Sequence, residues 1–372
     1  MSSVAPKGRQ PLAAAALFRR VRSSCDTLPD DRGGAAELAL REALRSAVAR
    51  FALPWPSLLA CDTQRVAGPV GTLDGSERVP CDTPRRAILA PGAPASLRPS
   101  CPRVLRHLQR GQALAARACL AGPSLVSREG TGYCASTTMH GASCGPKGHR
   151  HGSSTYAHQM WGAAMVPPEP RAGSPLRPAP IGPPEGTDKQ EGERHAAQRC
   201  LTQRRPEHPQ LPLRLTADAL RATAPHSETL HAYGGPSMLG VKNGEQASWF
   251  QPGQAAAQAG RVTSYARPDR TAGVGPRLHL VHDVPRHAAH AAGRVHVIAS
   301  GERGPDKGQP CRWVPDLRVS QRHVYRLMRG GRARWKSENE TCKTLPHQGD
   351  HFAHTDGHGA QPRSVVWATR MR

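Results

Sequence analysis

Residues 166–186 read VPPEPRAGSPLRPAPIGPPEG, from Val166 to Gly186. Eight prolines fall within the eighteen residues from Pro167 to Pro184. Proline fixes φ and lacks an amide hydrogen, which excludes a helix interior or a central strand. The stretch therefore reads as an extended, polyproline-II-like spacer, rising about 3.1 Å per residue. On its N-terminal side lie two segments with helical periodicity. On its C-terminal side lie basic and histidine-rich segments with few apolar residues.

Composition extends this reading to the whole chain. Leu, Ile, Val and Phe together supply 58 of 372 residues. Such scarcity, with a formal charge of +23, is the signature of a chain that buries too little apolar surface to offset its ordering entropy. The fold expected is mostly disordered and of low complexity. It has a few short α-helices, over about 35–53, 102–121 and 320–329, at most a marginal β-pair (278–284 with 294–299), and no single large core.

The organisation expected along the chain has seven parts. A basic, acid-free tail (1–25) precedes a weakly helical region (26–125) and a Gly/Ser/Cys/His-rich loop (126–165). The proline spacer (166–186) leads into a low-order region with short strands (187–311). A basic Arg/Trp segment (312–336) and a His-rich tail (337–372) follow.

Within 35–53, Leu40, Leu44, Val48 and Phe51 make one apolar stripe, and Asp30 and Asp31 lie just upstream, where a helix dipole favours negative charge. Within 102–121, Val104, Leu105 and Leu108 share a side, while Arg103, Arg106, His107, Arg110 and Arg117 occupy much of the rest. Such a basic amphipathic helix suits peripheral contact with an anionic membrane or an acidic partner. The tripeptide Cys-Asp-Thr occurs at Cys25, Cys61 and Cys81, with flanks that do not match, so no solenoid repeat is expected. Leu211 to Leu220 suggests a strand running into a short helix capped at Thr216.

The segment 312–336 carries the favoured functional reading. It holds eight Arg or Lys against one acid, Asp316. Arg318, Arg322, Arg326 and Arg329 recur at helical spacing, followed by Arg332, Arg334, Trp335 and Lys336 around a Gly-Gly step. Trp313, Tyr325 and Trp335 are interleaved with the cations. Phosphate neutralisation with base stacking is how sequence-tolerant nucleic-acid binders work, and RNA or DNA is the expected partner.

Two other readings stand beside it. One is a zinc-binding module. Cys134, His140, Cys144 and His149 offer two thiolates and two imidazoles, and His347, His351, His354 and His358 recur at +4, +3 and +4. The other is a weakly selected or non-functional translation product of GC-rich DNA, since Ala, Gly, Pro and Arg account for 170 of the 372 residues.

Other expectations are narrower. Pro167-x-x-Pro170 and Pro175-x-x-Pro178 have the spacing SH3 domains read, although the flanking basic residue is out of register. The chain carries no HExxH, GxSxG or dinucleotide fingerprint, so an enzyme is not expected and no catalytic residue is assigned. No run of 18 apolar residues occurs, so no transmembrane segment is expected. Nuclear or cytoplasmic localisation is favoured, the Arg-rich start resembles a mitochondrial presequence in composition, and secretion is not expected.

Overall fold

Ten strands form among the described residues, the clearest in sequence being those where Leu278 and Leu280 alternate with His279 and where Val295 and Val297 alternate with His296. In the computed structural model they join into one mixed sheet. The structure describes residues 13–33, 36–52, 58–67, 78–89, 91, 97, 100–115, 118–120, 122–138, 144–149, 152–168, 173–181, 189–217, 237–241, 255, 258–266, 277–287, 290–300 and 312–337. Among these, the helices are α1 (Ala14–Asp26), α2 (Leu40–Ala52), α3 (Leu58–Ala67), α4 (Asp82–Leu89), α5 (Ser100–Arg110), α6 (Lys189–Glu207) and α7 (Val324–Lys336). The strands are β1 (Ser124–Ser136), β2 (Gly145–Gly148), β3 (Ser154–Met165), β4 (Ser174–Ile181), β5 (Leu213–Ala217), β6 (Ser237–Val241), β7 (Thr263–Ala266), β8 (Arg277–His287), β9 (His290–Ser300) and β10 (Arg312–Pro315).

Nine strands run in the order β2-β3-β1-β5-β6-β10-β9-β8-β7, and β4 pairs with β3 beside β2. The outer edge of β3 is shared: β2 pairs with residues 154–157 and β4 with residues 159–165. The β1–β5 and β5–β6 pairs are parallel and the others antiparallel. The last strand among the described residues, β10, lies between β6 and β9, in the interior of the sheet.

Alternation along the strands sends apolar side chains to both faces. Val126, Leu213, Leu215, Leu239, Val297 and Val314 meet Leu105 of α5 and Leu201 of α6 on one face. Leu125, Met238, Leu278, Ile298 and Trp313 meet Val324, Leu327 and Met328 of α7 on the other. The result is a sheet with helices on both sides. A separate cluster of Cys25, Ala43, Leu44, Ala47, Ile88 and Leu89 binds α1, α2 and α4 together.

The expectation of a mostly disordered, low-complexity chain without a large core is overturned by this sheet. Leu, Ile, Val and Phe are indeed few. The core is filled to a large extent by other residues: Ala163, Ala164, Ala196, Ala197, Cys61, Cys119, Met160, Met165, Met238, Trp161 and Trp313 are all buried. The β-pair expected at 278–284 and 294–299 is present as β8 and β9, but it is not marginal, because β10 and β7 extend it on either side. The stretch read as a Gly/Ser/Cys/His-rich loop carries β1, β2 and β3, and the region read as low-order carries α6 and β5 to β9.

The proline stretch is corrected in the same way. Its residues 174–181 form β4, with Pro175 opposite Ala164 and Pro180 opposite Met160. The exclusion from a central strand holds, since β4 lies on the outer edge of β3, where a missing amide hydrogen is tolerated. What proline chemistry did not exclude was pairing on one side. Helix α6 then packs against β4 and β3 through small residues. Ala196 and Ala197 lie against Trp161 and Ala179, and a Cβ at Gly192 would meet Ile181 Cγ2 at 2.8 Å.

Three helices differ from expectation at their ends. The helix expected over 35–53 is α2, whose first amides are held by side chains: Ala39 N–H donates to Glu42 Oε2 (3.2 Å) and Leu40 N–H to Asp30 Oδ2 (2.7 Å). The Arg32 guanidinium, helped by the Leu40 and Arg32 amides and opposed by burial, holds the Asp30 carboxyl down to about 2. The helix expected over 102–121 ends at Arg110. Gln112 adopts φ 57°, its N–H bonds Gln109 O, and Ala113 N–H bonds Leu108 O, a Schellman closure. Thr216, expected as a helix cap, is buried inside β5. The helix expected from 320 starts instead at Val324, after a turn in which Val324 N–H bonds Ser320 O at 2.9 Å.

The Cys-Asp-Thr copies occupy three helical settings, at the end of α1, within α3 and at the start of α4. Two of them touch: Asp82 N–H donates to Asp62 Oδ2 at 2.8 Å. Beside them Arg85, buried, donates to Pro80 O at 2.7 Å and lies 3.6 Å from Asp62.

Candidate nucleic-acid interface

The basic segment is built from the central strand β10, a connecting turn and α7. Its single acid, Asp316, anchors it: Ser237 N–H (2.6 Å) and Ser237 Oγ–H (3.2 Å) both donate to Asp316 Oδ2. Burial holds that carboxyl above its ordinary range, against the opposing pull of the Ser237 bonds. Trp313, expected among the stacking aromatics, is 5% exposed and belongs to the core.

The Arg329-Gly-Gly-Arg332 step is a packing device. A Cβ at Gly330 would meet Met238 Cε at 3.1 Å and Cys119 Sγ at 3.3 Å. One at Gly331 would collide with the Trp313 indole, 2.7 Å from its Cε2. The two glycines bring α7 down onto β6 and β10, which fixes which side of the helix faces outward.

On that outward side Arg326 and Arg332 are exposed, Tyr325 and Arg329 are half-buried, and Trp335 is 57% exposed. Arg318 and Arg322 are exposed in the segment before α7, not on a shared helical face with Arg326 and Arg329. Tyr325, Arg329, Arg332 and Trp335 follow at +4, +3 and +3, one stripe about 15 Å long at 1.5 Å per residue. Arg334 is turned away: its Nη1 donates to Glu129 Oε1 of β1 at 2.6 Å, and both side chains are largely buried. Arg332 Nη2 reaches Ser300 Oγ at 3.5 Å. Lys336 closes α7.

The cysteine and histidine candidates are placed differently. Cys134 lies on β1. Cys144, buried just before β2, has its Sγ 3.2 Å from Nε2 of His158 on β3, which is also buried. His158 was missed by reading spacing alone; the β2–β3 register, with Gly145 opposite Ala157, places it beside Cys144. His149 is exposed and its Nε2 lies 2.8 Å from Thr155 Oγ1. His140, His347, His351, His354 and His358 lie outside the described residues. Among the described residues no three His, Cys, Asp or Glu side chains converge as a metal site would require.

Pro175-x-x-Pro178 is within β4, paired to β3, while Pro170 lies outside the described residues. No helix among the described residues is long and apolar enough to cross a membrane. The chain matches no protein-family model and no curated protein.

Proposed function

We propose that this protein binds nucleic acid without sequence preference, through the outward side of α7 and the turn before it. The observation that carries the reading is Trp335: it is 57% exposed and stands three residues from the exposed Arg332 on one helix surface. An indole and a guanidinium presented side by side suit a base and its phosphate. Arg318, Arg322 and Arg326 add charge along the same segment, and the chain's +23 supplies long-range attraction. Arg334 contributes little, because Glu129 neutralises it.

The test is a titration of fluorescent single-stranded RNA by anisotropy at several salt concentrations. The logarithm of the binding constant should fall linearly with the logarithm of salt, by about 0.7 per phosphate neutralised. Replacing Arg318, Arg322 and Arg326 by Gln should reduce that slope by about 2. Trp335→Ala should weaken binding by about 1–3 kcal/mol with little change in slope. Absent or salt-insensitive binding overturns the reading.

A further inference from the structure

We infer a second anion site that uses none of these residues: a groove between α1 and α5 that binds the phosphates of a compact oligophosphate. The site begins with α5. Arg103, Arg106 and Arg110 are spaced +3 and +4, so at 100° per residue they fall within a wedge of about 60° and spread over about 10 Å of helix. All three are exposed, and Arg20 of α1 faces them across a cleft of about 260 Å3 that also touches Ser23, Ser24 and His107. On their other side the same three arginines line a second cleft of about 470 Å3, closed by Glu207, His208 and Gln210.

Four guanidiniums thus crowd one place with one carboxylate at its margin. Among the described residues none of the four forms an ion pair. Two are already positioned. Arg103 Nη1 donates to Thr27 Oγ1 at 3.1 Å, and Arg106 Nε to Pro102 O at 3.2 Å. A guanidinium carries five donors, so each keeps most of its fork for a ligand. Like charges held together repel, and an anion bound between them relieves that repulsion while accepting charge-assisted hydrogen bonds.

The lining also defines the ligand. Among the described residues no Phe, Tyr or Trp borders either cleft, and the rings there are the small imidazoles of His107 and His208, so the lining offers a base little platform on which to stack. Recognition rests mainly on phosphate oxygens, which the arginine forks match. A chain of linked phosphates, free or carried by a nucleoside, meets that requirement, and the groove is indifferent to the rest of the molecule.

The experiment is calorimetric titration of the full chain with inorganic tripolyphosphate at fixed ionic strength, repeated with a nucleoside triphosphate. Saturable binding is expected, with the two ligands within about threefold of each other. Arg106→Gln with Arg110→Gln should weaken both by at least about tenfold. Arg106→Lys with Arg110→Lys, which keeps the charge but not the fork, should lie between. Removing equal charge elsewhere, with Arg261→Gln and Arg277→Gln, should change binding by less than about twofold. Circular dichroism of every variant should match the parent. Binding that is absent, that orthophosphate at equal ionic strength matches, or that the Arg261/Arg277 pair weakens as much, overturns the inference. The Arg106 and Arg110 variants leave α7 intact, so the loss they cause is distinguishable from any failure of the function proposed for α7.

Discussion

Gly331→Ala separates a packed α7 from a solvated basic helix by the sign of its effect. In an exposed helix interior, Ala is better than Gly by about 0.8–1.0 kcal/mol, so the substitution would stabilise a free helix. Here the added methyl would lie 2.7 Å from Trp313 Cε2 and closer still to the indole nitrogen. The indole is rigid and 5% exposed, and it is packed among Met238, Ile298 and Leu327. It has no flexible end that can move aside, so α7 or β10 must shift. Overpacking of this kind costs about 1–3 kcal/mol. Subtracting the propensity gain leaves a net loss of up to about 2 kcal/mol. Urea unfolding followed by circular dichroism should show a lower midpoint at unchanged slope. Trp313→Phe should partly relieve the clash, giving a coupling energy above about 0.5 kcal/mol in a double-mutant cycle. A midpoint that rises with Gly331→Ala would refute the docking of α7 on the sheet.

Two other substitutions probe charge within the fold. Arg334→Met leaves Glu129 largely buried without its 2.6 Å partner and should cost about 1–3 kcal/mol, read as a urea midpoint. Adding Glu129→Gln to it should recover part of that loss. The His296 imidazole is held below its ordinary range, first by burial and then by His282, whose Nδ1 lies 2.9 Å from its own. Asp283 pulls the other way and Arg318 adds to the depression. Because the folded value lies below the unfolded one, His296 contributes stability above about pH 6.5 that is lost as pH falls through the folded value. His296→Gln should therefore lose less stability than the parent between pH 7 and 5, measured by thermal unfolding across that range.

The parts of the fold legible in the sequence were those whose signal is local. Leu278 and Leu280 alternate with His279, and Val295 and Val297 with His296, and these segments are strands β8 and β9. The stripe from Leu40 to Phe51 is α2. Leu211, Leu213 and Leu215 signalled strand β5, though not that it runs on through Thr216, whereas β6, five residues buried almost throughout, shows no alternation. The proline-rich edge strand was hidden by a rule that holds for central strands alone. The interface was half legible. The run of arginines was visible, but which of them face outward is decided by Gly330 and Gly331. The neutralisation of Arg334 depends on Glu129, 205 residues away in sequence. Cys144 was identifiable as a chelating or reactive type, whereas its neighbour His158 follows only from strand register.

The position of β10 has a consequence for how the molecule is made. The sheet halves β2 to β6 and β7 to β9 are synthesised first, and the four residues that join them, Arg312–Pro315, come after both. Until the ribosome has released those residues, β6 and β9 each present an unpaired edge, and the face that α7 covers is open to water. A nascent chain in that state is at its most vulnerable to edge-to-edge association and to capture by chaperones. Closure then depends on contacts between segments far apart in sequence, which slows folding.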